Sequence, residues 1–108
     1  MIGIDYNGTI TKNPKLFKRL SAALLAAGYP VYIITAVRVP NVSATRHSIV
    51  KSKVPHTSIE IVVFREFDDI PELKLRACQR LGVKLMIDDM PATCELLAKN
   101  KILTLQVR

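Results

Sequence analysis

The sequence predicts an α/β protein built on one parallel sheet of five strands, with helices packed on both faces of the sheet. Short β-branched and apolar runs alternate with longer segments in which apolar residues recur every three or four positions. This β-α alternation implies parallel strands joined by right-handed crossovers. The chain has 108 residues, of which 49% are hydrophobic. It is long enough for one core and too short for two, so a single domain over residues 1–108 is expected.

The chain begins with a strand over residues 2–4, which ends at Asp5. A helix is predicted over residues 14–27, because Asn13 can cap it and Pro14 suits its first position. Its apolar stripe consists of Leu16, Phe17, Leu20, Ala23, Leu24 and Ala27.

A continuous β-branched and aromatic run over residues 31–34 predicts a strand covered on both faces, which ends at Thr35-Ala36. Residues 37–40 are expected to form a loop, and residues 41–53 a helix. The inward residues of that helix are predicted to be Val42, Ile49 and Val50.

The second half of the chain repeats the alternation. Its predicted elements are a strand over 59–64, a helix from Asp68-Asp69 and Pro71 to Leu81, a strand over 83–87, a helix over 91–99 and a strand over 102–107. The acidic pair before Pro71 fits the N-terminal end of a helix, so capping is its expected role. Lys74 falls in the first turn of this helix, and Asp88-Asp89 follow the fourth strand.

The carboxyl ends of parallel strands meet at one edge of a sheet, which is where ligands bind in open α/β folds. Asp5, Thr35, Lys74 and Asp88-Asp89 are therefore expected at the same edge. Clustered carboxylates repel one another and need a cation, and Mg²⁺ suits oxygen ligands together with a substrate phosphate. A lysine and a hydroxyl would hold the remaining phosphate oxygens while a carboxylate attacks phosphorus. The pattern predicts phosphoryl transfer through an aspartyl-phosphate.

Four segments, taken together, resemble the motifs of the haloacid dehalogenase superfamily of phosphotransferases. They occur in the family's order and over essentially the whole chain: Asp5-Tyr6-Asn7-Gly8-Thr9, Ile33-Ile34-Thr35-Ala36, Lys74 and Ile87-Asp88-Asp89. The resemblance implies a three-layer Rossmann-like fold with the first strand central, and Mg²⁺ as cofactor.

The resemblance also implies a role for each motif residue. Asp5 would be the nucleophile, and Mg²⁺ would be held by Asp5, the backbone carbonyl of Asn7 and Asp88, with Asp89 as a further ligand or support. The residues implied to bind the phosphoryl group are Gly8, Thr9, Thr35, Ala36 and Lys74. Gly8 and Thr9 fit a turn in which backbone N–H groups approach phosphate closely.

Asn7 departs from the family pattern, because the phosphatases of the family usually have an aspartate two residues after the nucleophile. That aspartate protonates the leaving oxygen and then activates water, whereas an amide can do neither. Three interpretations follow: a slow phosphatase for substrates with good leaving groups, a phosphate-binding relative with little turnover, or an engineered Asp-to-Asn change.

The segments between the motifs leave no room for the cap domain that covers the site in many family members. Only Lys12 and Asn13 separate Thr11 from Pro14, and residues 65–73 are the whole connection to Lys74. An open site is expected, which would admit a large phosphorylated substrate or be covered by a neighbouring subunit in a homo-oligomer. Arg38, after the second motif, is a candidate for contact with the substrate beyond its phosphate.

The charge and composition of the chain limit the kinds of ligand and partner that it is expected to bind. The formal net charge of +7 favours anionic ligands, but Lys and Arg form no dense run, so nucleic acid is weakly supported. No apolar stretch approaches the roughly 20 residues of a membrane span, and no secretion signal is recognised, so a cytoplasmic protein is expected. Cys78 and Cys94 are expected to be buried free thiols.

Two other functions compete with the phosphatase interpretation. A non-catalytic phosphate- or nucleic-acid-binding module on the same fold would explain Asn7 and the basic balance. A receiver-like signalling domain also uses a strand-end Asp with Mg²⁺, Thr and Lys. It is disfavoured because its phosphorylated Asp normally lies on the third strand.

Overall fold

The computed structural model describes all 108 residues and confirms the α/β fold with a five-stranded, entirely parallel sheet. The strands are β1 (Ile2–Ile4), β2 (Val31–Arg38), β3 (Ser58–Phe64), β4 (Leu85–Asp88) and β5 (Leu103–Gln106). The helices are α1 (Pro14–Ala26), α2 (Val42–Ser52), α3 (Ile70–Leu81) and α4 (Pro91–Lys99). The strand order is β3-β2-β1-β4-β5, so β1 is central as expected.

The helices cover the two faces of the sheet in pairs. Because neighbouring residues of a strand point to opposite faces, Ile33 and Ile34 belong to different core clusters. The cluster around Ile33 includes Phe17 of α1 and Ile49 of α2. The cluster around Ile34 includes residues of α3 and α4, among them Leu97. This gives three layers, with β1 buried between them.

Strand β2 is longer than predicted, and the expected loop over residues 37–40 is wrong. Val37 and Arg38 continue the strand because they pair with Val63 and Phe64 of β3. Residues 39–41 then form a single 3-10 turn that leads into α2. Thr35 therefore lies within the strand, three residues before its end, and β2 projects beyond the carboxyl end of β1.

Two burial predictions for the helices are also wrong. Val50 of α2 is exposed, because only Ile49 of this helix is fully inserted in the core. In α1, Leu16, Ala23 and Ala27 are exposed, and the buried stripe is narrower than expected. Ser21 occupies part of that stripe. Apolar periodicity predicted the helices correctly. It did not predict the burial of small residues or of residues at the edge of the apolar stripe.

Short connections surround the carboxyl edge of the sheet. Residues 5–13 join β1 to α1 through one 3-10 turn, and residues 65–69 join β3 to α3. Neither connection contains an additional domain. Asp69 caps α3 as expected, accepting the N–H of Glu72 at 3.2 Å. No helix has the length and apolar character needed to cross a membrane.

Candidate active site

The register of the central strands places two acids side by side. Ile4 of β1 pairs with Ile87 of β4, so Asp5 and Asp88 follow at the same level of adjacent parallel strands. The N–H of Asp5 donates to the carbonyl of Ile87 at 2.9 Å, which fixes the backbone at this point. Both side chains are buried. Two acids at the buried ends of neighbouring strands need compensating charge.

Lys74 supplies part of that charge. Its Nζ lies 3.0 Å from Oδ1 of Asp5 and 2.7 Å from Oδ2 of Asp88. The residue is only 3% exposed, although it stands on the first turns of α3. An ammonium held between two buried carboxylates is strongly positioned, because removing either partner would leave buried charge without compensation.

A third acid joins this group. Asp5, Asp88 and Asp89 each offer a carboxylate oxygen, and these atoms all lie within 4.8 Å of one another. When all four groups are ionised, three carboxylates face one ammonium, which leaves the group negative by two charges. A divalent cation with oxygen ligands would neutralise that excess.

Burial, together with the neighbouring charges, shifts the pKa values of Asp5 and Lys74. Burial raises the pKa of Asp5 to about 7; Lys74 opposes this increase and Asp88 adds to it. Burial alone would lower the pKa of Lys74, but Asp5 and Asp88 raise it above its ordinary value. Lys74 therefore stays charged, and Asp5 is the group that takes up a proton near neutral pH.

Gly8 brings the turn after Asp5 against Asp89. Its φ is +80°, a conformation that favours glycine. A Cβ atom on Gly8 would lie 2.7 Å from Cγ of Asp89 and closer still to its Oδ2. Any larger residue would strain the backbone and displace the Asp89 carboxylate. Gly8 is therefore favoured by its contact with the acid cluster as well as by the turn.

The N–H groups of Gly8 and Thr9, which are predicted to approach phosphate, both donate within the turn in this structure. The N–H of Gly8 donates to Oγ1 of Thr11 at 2.9 Å, and that of Thr9 to the carbonyl of Tyr6 at 3.3 Å. The Thr9 hydroxyl donates to Oδ2 of Asp5 at 3.4 Å, so it helps to orient the Asp5 carboxylate. The N–H groups of Tyr6 and Asn7 have no acceptor in the chain.

Thr35 is 1% exposed, and its hydroxyl has no hydrogen-bond partner. An unpaired buried hydroxyl is costly; Ser21 and Thr93 also have one, and Thr35 is the residue of the three that lines a cavity where a ligand could accept its hydrogen bond. Thr35 faces a cavity of about 240 Å³ at the carboxyl edge of the sheet. The cavity is lined by Asp5, Asn7, Thr35, Ala36, Phe64, Ile70, Lys74, Asp88, Asp89 and Met90.

This cavity brings together most of the residues singled out from the sequence. Asp5, Asn7, Thr35, Ala36, Lys74, Asp88 and Asp89 all line it. Arg38 does not; it lines a neighbouring cavity. Sequence reasoning missed Phe64, Ile70 and Met90. Phe64 ends β3, so its place at a strand end could have indicated it, whereas Ile70 and Met90 carry no such sequence signal.

The donor set fits Mg²⁺. All three acids offer hard oxygen ligands, and the missing Cβ of Gly8 leaves room for Asp89 beside the turn. The thiols offer no competing chemistry, because Cys78 and Cys94 are both free and buried. Burial raises the pKa of Cys78 to about 11 and raises that of Cys94, so both stay protonated at neutral pH.

Comparison with known proteins supports the fold. No protein-family model and no curated protein matches the chain. A chain of the Pnkp1/Rnl/Hen1 complex superimposes with a TM-score of 0.79 at 12% identity, over 98% of this chain and 45% of that one. A chain of the Pnkp1/Rnl/Hen1 RNA repair complex gives 0.80 at 12% identity, over 98% and 41%.

A protein of the universal stress protein family from Burkholderia pseudomallei gives a TM-score of 0.61 at 16% identity, over 98% of this chain and 94% of that one. The chain spans less than half of the matched chains of the RNA repair complex. At these identities the similarity establishes the α/β fold alone.

Proposed function

We propose that the protein is a Mg²⁺-dependent phosphatase or phosphotransferase of the haloacid dehalogenase type, with Asp5 as nucleophile. One observation carries the proposal: Lys74 joins Asp5 to Asp88 in a cavity that also receives the unpaired hydroxyl of Thr35. The cavity thus combines a nucleophile, a fixed cation and a free hydrogen-bond donor, as phosphoryl transfer requires.

In the proposed reaction, a carboxylate oxygen of Asp5 forms a bond to phosphorus, and the bond from phosphorus to the leaving oxygen breaks. The leaving oxygen takes the electron pair. Thr35 and Lys74 hold the phosphoryl oxygens, with the N–H groups of Tyr6 and Asn7 as further donors. Water then attacks the aspartyl-phosphate at phosphorus, which releases phosphate and restores the Asp5 carboxylate.

Asp5, Asp88, Asp89 and the backbone carbonyl of Asn7 are the groups that would hold Mg²⁺. The ion supplies charge neutralisation for the carboxylates and for the phosphoryl oxygens. Lys74 stays protonated in either case, because it faces two acids. Its charge lowers the repulsion that an incoming phosphate dianion would meet at this acidic cluster.

Asn7 limits the rate of the proposed reaction. Its side chain lines the cavity, where the family's general acid and base would stand. The amide can donate a hydrogen bond to the leaving oxygen but cannot protonate it. General acid-base catalysis contributes about 10²- to 10⁴-fold, so a slow enzyme for substrates with good leaving groups is expected.

Hydrolysis of an aryl phosphate with Mg²⁺ tests the proposal, in the wild-type protein and in Asn7→Asp. The substitution should raise kcat by about 10²- to 10⁴-fold. Asp5→Asn should abolish activity in both backgrounds, whereas Glu95→Gln, which removes an exposed carboxylate of α4 outside the cavity, is the control and should leave activity unchanged. Absence of activity from both wild type and Asn7→Asp would refute the proposal.

A non-catalytic phosphate- or nucleic-acid-binding module is the second candidate, favoured by Asn7 and by the net charge of +7. The RNA repair complex among the structural matches makes RNA a ligand to test. Salt-dependent binding without turnover in Asn7→Asp would favour this module. The two free thiols fit a reducing compartment, so we propose the cytoplasm as its location.

A further inference from the structure

A second cavity, of about 400 Å³, adjoins the acidic one. It lies between the end of β2 and α2, and it shares Asn7, Ala36 and Phe64 with the acidic cavity. Its other polar groups are Arg38, Asn41, Thr45 and Ser48. Because Asn7 borders both cavities, a leaving group on the Asn7 side of a reacting phosphate would face this second cavity.

Arg38 gives the second cavity a positioned positive charge. Its guanidinium lies 5.4 Å from the centroid of the Phe64 ring, and the two residues pair across β2 and β3. Stacking on a ring orients a guanidinium and leaves its edge donors free. Arg38 forms no ion pair with any carboxylate of the chain. This cation is therefore available for an anionic group beside the reacting phosphate.

Phe67 provides an exposed aromatic ring at the same edge. It is 94% exposed, and it lies on the short loop between Phe64 and Ile70, which both line the acidic cavity. Two hydrogen bonds between Arg65 and Asp68 close this turn, at 2.8 Å and 3.0 Å. The turn thus presents Phe67 to solvent, where the ring contributes nothing to the core.

A positioned cation and an exposed ring beside a phosphate site match a nucleic-acid strand, in which phosphates alternate with bases. Exposed aromatic rings stack on bases of any sequence, and arginine binds backbone phosphate. The net charge of +7 adds attraction for a polyanion, and the short connections leave the site open to a long substrate.

We propose that the substrate is the phosphate-bearing end of a single-stranded oligonucleotide, an inference that rests on the proposed function. The terminal phosphate lies at Asp5, Arg38 binds the adjacent phosphodiester, and a base stacks on Phe67. Asn7 stands between the reacting phosphate and the rest of the strand.

The test compares kcat/KM of the full chain and of Asn7→Asp on an aryl phosphate, a mononucleotide, and single-stranded DNA of about six nucleotides with a 5′- or a 3′-phosphate. At least one phosphorylated oligonucleotide should exceed the mononucleotide by about tenfold, since the mononucleotide lacks the second phosphate and the further base. Arg38→Gln and Phe67→Ala should each lower the ratio of oligonucleotide to aryl phosphate by about tenfold.

Two control variants match these changes at the opposite edge of the sheet. Lys84→Gln removes one exposed positive charge just before β4, and Tyr29→Ala removes one exposed ring just before β2. Both should leave the ratio unchanged. Arg38→Gln should also lower the slope of log affinity against log salt by about one, which a structural role would not do.

The outcomes separate the two proposals. Activity on the aryl phosphate with no preference for an oligonucleotide, or with a ratio insensitive to both variants, would overturn the inference and leave the proposed function standing. If neither the wild type nor any variant hydrolyses a substrate, the same oligonucleotides are labelled and their binding is measured by fluorescence anisotropy. Binding that requires the terminal phosphate, Arg38 and Phe67 would support the proposed oligonucleotide-binding surface. Equal binding by all variants would overturn the proposal.

Discussion

Nζ of Lys74 lies 2.7 Å from Oδ2 of Asp88, and this buried ion pair holds α3 against the end of β4. The same ammonium lies 3.0 Å from Asp5, so one cation serves two acids of adjacent strands. Lys74→Gln should lower the free energy of unfolding by about 3–5 kcal/mol, because it leaves buried carboxylates uncompensated.

Urea denaturation in the presence of a chelator measures this effect. Lys99→Gln is the matched control, since Lys99 pairs with Glu95 at the surface and its loss should change stability by less than about 0.5 kcal/mol. Mg²⁺ should recover part of the loss in Lys74→Gln. Equal stability of the two variants in chelator would contradict the assigned role of Lys74.

The raised pKa of Asp5 gives the stability of the metal-free protein a definite pH dependence. In the folded state Asp5 keeps its proton up to about pH 7, whereas the ordinary pKa of an aspartate is 3.8. The stability that protonated Asp5 contributes is therefore fully present below the pKa of Asp5 in the unfolded chain. It is lost as the pH rises towards about 7, the pKa of Asp5 in the folded protein. In chelator, wild type should lose more stability than Asp5→Asn between pH 4 and 7. A parallel pH dependence of the two proteins would contradict this prediction.

Mg²⁺ binding should be coupled to loss of that proton. Calorimetric titration in two buffers of different ionisation enthalpy should show more proton release at pH 6 than at pH 8, because Asp5 is more protonated at the lower pH. Asp88→Asn should weaken Mg²⁺ binding, since it removes one of the three clustered carboxylates. Proton release that does not change with pH would exclude Asp5 as a metal ligand.

Gly8 and Gly28 allow a clean test of the contact with Asp89. Both have positive φ, +80° and +91°, so alanine at either position should cost about 1 kcal/mol of stability. Only at Gly8 would a Cβ meet Asp89, because nothing lies within 4 Å of the corresponding position at Gly28. Gly8→Ala should therefore also weaken Mg²⁺ binding, and Gly28→Ala should not. Equal Mg²⁺ affinities would show that Asp89 does not need the glycine.

Thr35 and Thr93 form a second matched pair, since both have buried hydroxyls without a partner. Replacement by valine should not lower the stability of either protein and should raise it slightly, because it removes a buried hydroxyl that has no hydrogen-bond partner. Thr35 lines the acidic cavity and Thr93 does not. Thr35→Val should lower kcat/KM for an aryl phosphate by about tenfold or more, whereas Thr93→Val should leave it unchanged. An equal effect of the two substitutions would exclude Thr35 from the phosphate site.

The parts of the site that follow from local sequence were predictable. Asp5 follows β1, Asp88 is the last residue of β4 and Asp89 follows it, and parallel strands bring such residues to one edge. The spacing of apolar and turn residues likewise predicted every helix and strand, with α4 correct at both ends. Local pattern is sufficient where the strand itself positions the side chain.

The features that depend on distant partners were not predictable. Val37 and Arg38 looked like a loop, because only their pairing with Val63 and Phe64 extends β2. The burial of Lys74 could not be predicted either. A lysine on a helix is normally solvated, and only its ion pairs with the two acids explain why it is buried. Strand pairing between distant residues and charge compensation therefore determine the features of the site that the local sequence pattern does not predict.

The most direct test of the central claim is chemical identification of a phosphorylated Asp5. Because Asn7 cannot activate water, the aspartyl-phosphate should accumulate when wild type is mixed with Mg²⁺ and an aryl phosphate. Reductive trapping with borohydride, followed by peptide mass spectrometry, should find homoserine at position 5, and none without the aryl phosphate or in Asp5→Asn. An unmodified Asp5, or a trapped residue elsewhere in the chain, would contradict the assignment of Asp5 as nucleophile.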